Sequence, residues 1–204
     1  MQYICLTSIG AYLFASGSLE KEQLELVQWL LSKETSPAYA NSTLKALSSD
    51  TSLDDVMSVL RTLAKRKVIE LSSDVQTCPD APMQDILPQM LSVLSDSGKA
   101  MLVDSQGLSI ASVGIDAERI QALSALASKL AASLYHGDSD VFDLLDIKYG
   151  LTCLYDIKEK RIFTFIPIFL GTRRLVVVTE GKAVFSGNNF KDFIWVLWNR
   201  YSEF

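Results

Sequence analysis

The chain has little of what most enzymes and metal proteins use at their centres, with one histidine and three cysteines in 204 residues. Cys5, Cys78 and Cys153 lie far apart, form no Cys-x-x-Cys pair, and are not close in sequence to His136. A disulfide framework and a zinc site both depend on closely spaced ligands. We therefore expect ordinary reduced thiols in a reducing compartment, with no metal and no cofactor.

The inventory for catalysis is equally short. A Ser-His-Asp or Cys-His arrangement would have to use His136, and the sequence has no glycine-rich phosphate loop and no Gly-x-Gly-x-x-Gly motif. His136, Asp138 and Asp140 carry side chains that metals bind, but we interpret them as a polar loop after a helix. We expect a protein that is not an enzyme and has no catalytic residues.

Positive charge is scarce, and so are uninterrupted apolar runs. The formal net charge is −5 and the isoelectric point about 4.9, whereas nucleic-acid binding through phosphates needs a basic surface. The apolar run 164–178 contains Arg173 and Arg174 and is shorter than the roughly 20 residues of a membrane span. Residues 1–17 lack a positive charge before their apolar stretch, so we expect folded protein there and not a signal peptide. This balance predicts a cytoplasmic protein that meets other proteins.

Small, polar and proline residues interrupt the periodic pattern between residues 73 and 82. Such clusters mark loops and linkers. We therefore predict an N-terminal domain over residues 1–72, a linker over 73–82 and a C-terminal domain over 83–204.

The N-terminal unit has the pattern of three helices followed by a short strand. Helix starts are predicted at Ser18, Pro37 and Ser52, and residues 68–71 have the composition of a strand. This order resembles a winged-helix domain, although no second wing strand follows the first.

A basic cluster formed by Arg61, Lys65, Arg66 and Lys67 has two interpretations. It suits DNA binding by the N-terminal helices, and it equally suits cations that compensate the negative end of a helix dipole. Residues 1–75 hold seven Lys and Arg against nine Asp and Glu, so nucleic acid is not the expected partner.

The C-terminal unit opens with a helix and a hairpin. We expect a helix from Asp85 to about Ser95, with Pro88 in its first turn, where no backbone donor is missed. Strands are predicted over residues 100–103 and 108–113.

The first of these strands is apolar at four successive positions, as in a central strand covered on both faces. In the turn that follows, Asp104 is expected to hydrogen-bond its own backbone.

A long helix built from Ala, Ser and Leu follows from Asp116. Its apolar stripe recurs every three or four residues and consists of Ile120, Leu123, Ala127, Leu130 and Leu134. A helix with a solvated face normally carries more charge than this one. Burial within its own domain explains the pattern, and so does contact with a second copy of the chain, which we take as the interface hypothesis.

Strands are predicted over residues 142–149, 151–155, 162–169 and 174–179. A last helix follows Asn189, and its core face consists of Phe190, Phe193, Ile194, Leu197 and Tyr201. Trp195 and Trp198 lie off or at the edge of that face. Such side chains imply a further contact in a dimer, with the N-terminal unit or with a partner, and we include both tryptophans in the interface hypothesis.

Residues 102–116, LVDSQGLSIASVGID, carry the most informative pattern. Together with the order of helix, two strands, long helix, strands and helix, they resemble the Roadblock family of dynein-light-chain-like domains over residues 83–203. The stretch 156–181 is longer than the usual strand pair of that family.

The resemblance implies an α+β chain. It predicts a C-terminal antiparallel sheet with helices packed on one face, preceded by a small, mostly helical, winged-helix-like domain. It also implies a non-enzymatic homodimer that docks onto a small Ras-like GTPase or a related signalling or motility complex. Two alternatives stay open: a PAS-like or GAF-like small-molecule sensor, and a transcription regulator that uses the N-terminal helices on DNA.

Overall fold

A computed structural model describes residues 1–48, 52–136, 152–158, 160–185 and 187–201. The predicted strand 142–149, together with Asp138 and Asp140, lies outside the described residues. The elements follow one another as β1 (Tyr3–Leu6), α1 (Ser8–Ala15), α2 (Lys21–Leu31), α3 (Asn41–Leu47), α4 (Leu53–Lys65), β2 (Ile69–Ser72), α5 (Met83–Ser92), β3 (Ala100–Asp104), β4 (Ser109–Val113), α6 (Ala117–His136), β5 (Thr152–Tyr155), β6 (Arg161–Leu170), β7 (Arg173–Glu180) and α7 (Asn188–Tyr201).

The C-terminal part is built on a five-stranded sheet in the order β4-β3-β7-β6-β5. Every neighbouring pair in it is antiparallel. The prediction of an α+β chain with a C-terminal antiparallel sheet is thereby confirmed. The predicted strands 151–155, 162–169 and 174–179 correspond to β5, β6 and β7 within two residues at each end.

Helices cover both faces of this sheet, so the prediction that they pack on one face is wrong. Ala100 and Leu102 of β3 belong to the core that α1, α5 and α7 share. Met101 and Val103 point to the opposite face and pack with α6. The cause lies in β3 itself, because its four apolar residues alternate between the two faces of the sheet. Without a helix on each face, two of these residues would be exposed to water.

The N-terminal part pairs its first strand with its last. β1 and β2 form a two-stranded antiparallel sheet, with Ile4 opposite Leu71 and Leu6 opposite Ile69. The winged-helix resemblance is not confirmed, because the partner of β2 comes from the start of the chain and not from a second wing. The structure also adds α1, a helix ahead of the three that were predicted.

The two parts of the chain share one core. Phe14 of α1 packs edge-on against Trp198 of α7, with ring centroids 5.2 Å apart. Gly10 brings α1 close to β2, and a Cβ there would overlap the carbonyl oxygen of Val68. Buried residues of α1, α2, α4 and α7 belong to the same apolar cluster as one face of the C-terminal sheet.

The predicted linker is hydrogen-bonded to both parts. The Ser36 N–H donates to the Gln76 carbonyl, and the Gln76 N–H donates to the Ser36 hydroxyl, both at 2.8 Å. The Lys191 ammonium of α7 donates to Gln76 Oε1 at 2.8 Å. Residues 73–82 are therefore held in place, and the domain bounds 1–72 and 83–204 stay predictions.

Helix α5 begins two residues earlier than predicted. Met83 is its first residue, Asp85 lies in its first turn, and Pro88 lies inside the helix and not at its start. The carbonyl of Pro82 accepts from the N–H groups of Asp85 and Ile86, which sets the start there. Among the fully buried side chains of this region, Leu87 and Leu91 attach α5 to the sheet.

Candidate partner-binding surface

The described residues contain no cluster of three or more His, Cys, Asp or Glu that could hold a metal ion. None of the helices in the described ranges has the length and apolar character needed to cross a bilayer. Asp104 is confirmed as a turn residue, since its Oδ1 accepts hydrogen bonds from the N–H groups of Gln106 and Leu108 at 2.9 and 2.8 Å. Helix α6 is the longest helix in the described ranges, and one of its sides is exposed to solvent.

The apolar stripe of α6 faces the chain's own sheet. Leu123 and Ala127 are 7% and 0% exposed, and Ile120 and Leu130 are half-buried against the same cluster. The side chain of Leu134 lies outside the described residues. The four described residues of this stripe therefore pack inside the chain, and the solvent-exposed side of α6 is the opposite one.

That opposite side, here called the α6 outer surface, is solvent-exposed and consists of Glu118, Gln121, Ala122, Ala125, Lys129 and Ala132. These positions recur at helical spacing and form one continuous face. Two of the six residues are charged, with opposite signs, and three are alanines. An exposed helix face normally carries more charge, and alanines allow a second backbone to approach closely.

Helix α6 is fixed at its N-terminal end by charged groups. Arg119 Nη1 lies 3.3 Å from Glu180 Oε2, and Lys99 Nζ lies 3.5 Å from Glu180 Oε1. The Arg119 guanidinium also lies over the ring of Phe163, 5.0 Å from its centroid. The Asp116 carbonyl accepts the first helical hydrogen bonds.

The hairpin turn fixes the middle of the same helix. Gly107 lies close enough that a Cβ there would meet the Ser128 side chain at 3.2 Å and the Ser124 carbonyl at 3.3 Å. Ser128 Oγ donates to the Ser105 carbonyl at 3.1 Å. The glycine of the LVDSQG run thus permits a close approach of turn and helix, and this contact helps to hold α6 against the hairpin.

Trp195 and Trp198 are both engaged within the chain. They are 5% and 6% exposed. Trp195 Nε1 donates to the Lys33 carbonyl at 2.9 Å, and Trp198 packs on Phe14. Contact with the N-terminal part, which was one of the open interpretations of these side chains, accounts for both.

The thiols of Cys5 and Cys78 both have a raised pKa. Burial, with a smaller contribution from the charge of Asp192, raises the pKa of Cys78 to about 11. Burial also raises the pKa of Cys5. A thiol whose pKa lies above its ordinary value is protonated at neutral pH and is a weak nucleophile and metal ligand.

The comparisons with known proteins give a distant likeness to a solved structure. No family model matches the chain, and no curated protein matches it. Among solved structures it resembles Myxococcus xanthus MglB, with 15% sequence identity and a TM-score of 0.35, over 58% of this chain and 89% of that one.

Proposed function

We propose that this chain is a non-enzymatic homodimeric scaffold whose C-terminal part binds a small Ras-like GTPase. The proposal rests chiefly on one observation, the exposed and charge-poor α6 outer surface. A partner covering it would desolvate few charges, and desolvating unpaired charges is the main cost of covering a helix face.

A second copy of the chain is the partner that suits this surface best. Glu118 and Lys129 lie near its two ends, and Ala122 and Ala125 lie between them. Two such helices running antiparallel about a twofold axis bring each Glu118 towards the partner's Lys129. The alanines then meet at the centre, where the helices approach most closely.

The GTPase follows from the resemblance to Roadblock domains. The order of helix, hairpin, long helix, strands and last helix in residues 83–201, on an antiparallel sheet, supports that resemblance. A scaffold of this kind need not supply a catalytic arginine, because it can act by stabilising one conformation of the switch loops.

The dimer is tested by size-exclusion chromatography with light scattering at micromolar concentration. We expect a particle of twice the 22.6 kDa chain mass. Ala125→Arg places a cation at the centre of the α6 outer surface and should give a monomer, whereas Ala46→Arg, at an exposed alanine of α3, should remain a dimer. A wild-type monomer, or a dimer indifferent to Ala125→Arg, contradicts the proposal.

Binding of a GTPase is tested by isothermal titration calorimetry with purified small GTPases from the source organism. Each GTPase is loaded with GDP or with a non-hydrolysable GTP analogue. We expect one nucleotide state of one GTPase to bind more tightly than the other. Absence of binding up to about 100 μM, a concentration at which weak complexes are detected, would contradict the proposal of a GTPase partner. It would not bear on the proposal of a dimer.

A further inference from the structure

A second surface lies in the N-terminal part, between α4 and β2, and the proposed scaffold function does not use it. A cavity of about 160 Å³ opens there. Its apolar lining comes from both elements and from the neighbouring chain, and comprises Ile4, Tyr39, Met57, Leu60, Ala64, Ile69 and Leu71. This volume lies below the roughly 300 Å³ at which small-molecule sites begin, and it suits one large apolar side chain.

Strand β2, which contributes Ile69, Glu70 and Leu71 to the cavity lining, has an open edge. Within the described ranges β2 pairs with β1 alone. The Thr7 N–H donates to the Val68 carbonyl, which fixes the alternation of the strand and turns the N–H and C=O groups of Leu71 away from β1. Leu71 is 48% exposed. An edge of this kind is a template for one more strand.

Exposed cations lie at this cavity and at the end of α4 that precedes β2, in a chain that is acidic as a whole. Arg61 lines the cavity, and Lys65 lies one turn further along α4. The side chains of Arg61, Lys65 and Lys67 form no ion pair with any described residue, whereas Arg66 Nη1 donates to Gln23 Oε1 at 2.6 Å. Glu70 is the acidic residue among those lining the cavity. With Lys65 and Lys67, which neighbour the lining along the chain, this region has three exposed cations against the carboxylate of Glu70.

We propose that this surface, formed by the cavity, the edge at Leu71 and the cations Arg61, Lys65 and Lys67, binds an extended acidic peptide of a partner protein. The peptide backbone pairs with Leu71, one apolar side chain enters the cavity, and flanking carboxylates lie near the cations. Strand addition supplies main-chain hydrogen bonds, while a pocket and charges beside the edge select the sequence.

The geometry favours a peptide over duplex DNA. A major-groove helix needs its exposed face free along its length, and Asp54 and Asp55 lie in the first turn of α4. Contacts with DNA phosphates are made by cations and polar groups, so DNA binding would make no use of an apolar cavity beside the cations.

The test measures fluorescence polarisation of a labelled peptide of about ten residues, the length of a typical added strand with flanks. The peptide has a central leucine, with valine, threonine and glutamate alternating on either side. A control peptide carries lysine in place of every glutamate, and a second control is N-methylated beside the leucine to block strand pairing. We expect the acidic peptide to bind at least about tenfold more tightly than either control and to weaken as salt rises.

Variants of the full chain locate the binding site. Ala64→Phe fills the cavity from an exposed position and should weaken binding by about tenfold or more. Thr62→Phe, at an exposed position of α4 outside the cavity lining, is its matched control and should bind as the wild type does. The double variant Arg61→Glu and Lys65→Glu should lose the acidic peptide and its salt dependence. Circular dichroism melting of each variant separates loss of binding from loss of fold.

Three outcomes overturn the inference. Equal affinity for the acidic and lysine peptides would show that the cations do not select the peptide. Equal affinity of the Ala64→Phe and Thr62→Phe variants for the acidic peptide would show that the cavity takes no part in binding. Binding of a labelled DNA duplex that the double variant abolishes, without peptide binding, assigns the cations to nucleic acid instead.

Discussion

The indole nitrogen Nε1 of Trp195 donates a 2.9 Å hydrogen bond to the main-chain oxygen of Lys33. Asn199, four residues further along α7, donates from Nδ2 to the carbonyl of Leu31 at 2.7 Å. The last carbonyls of a helix have no partner within it. Two side chains of α7 therefore complete the C-terminal end of α2, and this joins the two parts of the chain through specific polar contacts as well as through the apolar core.

Trp195→Phe should lower the free energy of unfolding by about 1–3 kcal/mol, because it leaves a buried carbonyl without its donor. Trp29→Phe is the matched control, since Trp29 is half-buried and lies near Lys33 without donating to it. Urea denaturation followed by circular dichroism measures both variants. Equal losses for the two would contradict a specific role of the Trp195 hydrogen bond.

Gly10→Ala should be among the most damaging single substitutions in the chain, at about 3 kcal/mol or more. The added Cβ would overlap the backbone carbonyl of Val68, which cannot give way as a side chain tip can. Ile9→Ala, at an exposed position of the same helix, should change stability by no more than about 0.5 kcal/mol. Thermal melting measures the stability of both variants. A Gly10→Ala variant as stable as the wild type would refute the close packing of α1 on the chain leading into β2.

Lys67→Gly should stabilise the chain. Lys67 follows α4 with φ of 57°, in the left-handed region that glycine adopts without strain and other residues rarely enter. We expect a gain of about 0.5–1 kcal/mol in the free energy of unfolding. Lys67→Ala removes the same charge but keeps a Cβ, so it should give no gain; if both variants rise equally, charge and not backbone conformation is the cause.

The alkylation rate of Cys78 should keep rising with pH well beyond the range of an ordinary thiol. With a pKa of about 11, the thiolate fraction grows about ninetyfold between pH 8 and pH 10, whereas a thiol with the reference pKa of 9.0 gains about tenfold. Iodoacetamide labelling of a Cys5→Ser, Cys153→Ser variant, read by mass spectrometry against glutathione, measures the ratio. A rise of only about tenfold between pH 8 and pH 10 would contradict the effect of burial.

Local pattern was sufficient where the partner of a residue lies close in sequence. The Asp104 turn, the hairpin of β3 and β4, and the start of α6 at Asp116 all depend on neighbours within a few residues. The pairing of β1 with β2 does not, because Tyr3 meets Ser72 across most of the N-terminal part. A four-residue strand carries too little periodicity to reveal such a partner.

The interface residues show a different limit. Periodicity identifies the apolar stripe of α6 from Ile120 to Leu134, but it cannot distinguish a stripe buried on the chain's own sheet from one buried on a second copy. The feature of the sequence that indicates contact with a second polypeptide is the lack of charge on the opposite side of α6, at Ala122 and Ala125. In the same way, the tryptophans of α7 indicate a contact but not which part of the chain provides it.

Two of the three tryptophans of the chain, Trp195 and Trp198, lie where its two parts meet. Trp195 and Trp198 are buried there, and Trp29 lies on α2 beside Lys33. Indole emission shifts to longer wavelength when water reaches the ring. The intrinsic fluorescence of this protein therefore responds to the contact between its two parts. A ligand that separates them should shift the tryptophan emission to longer wavelength.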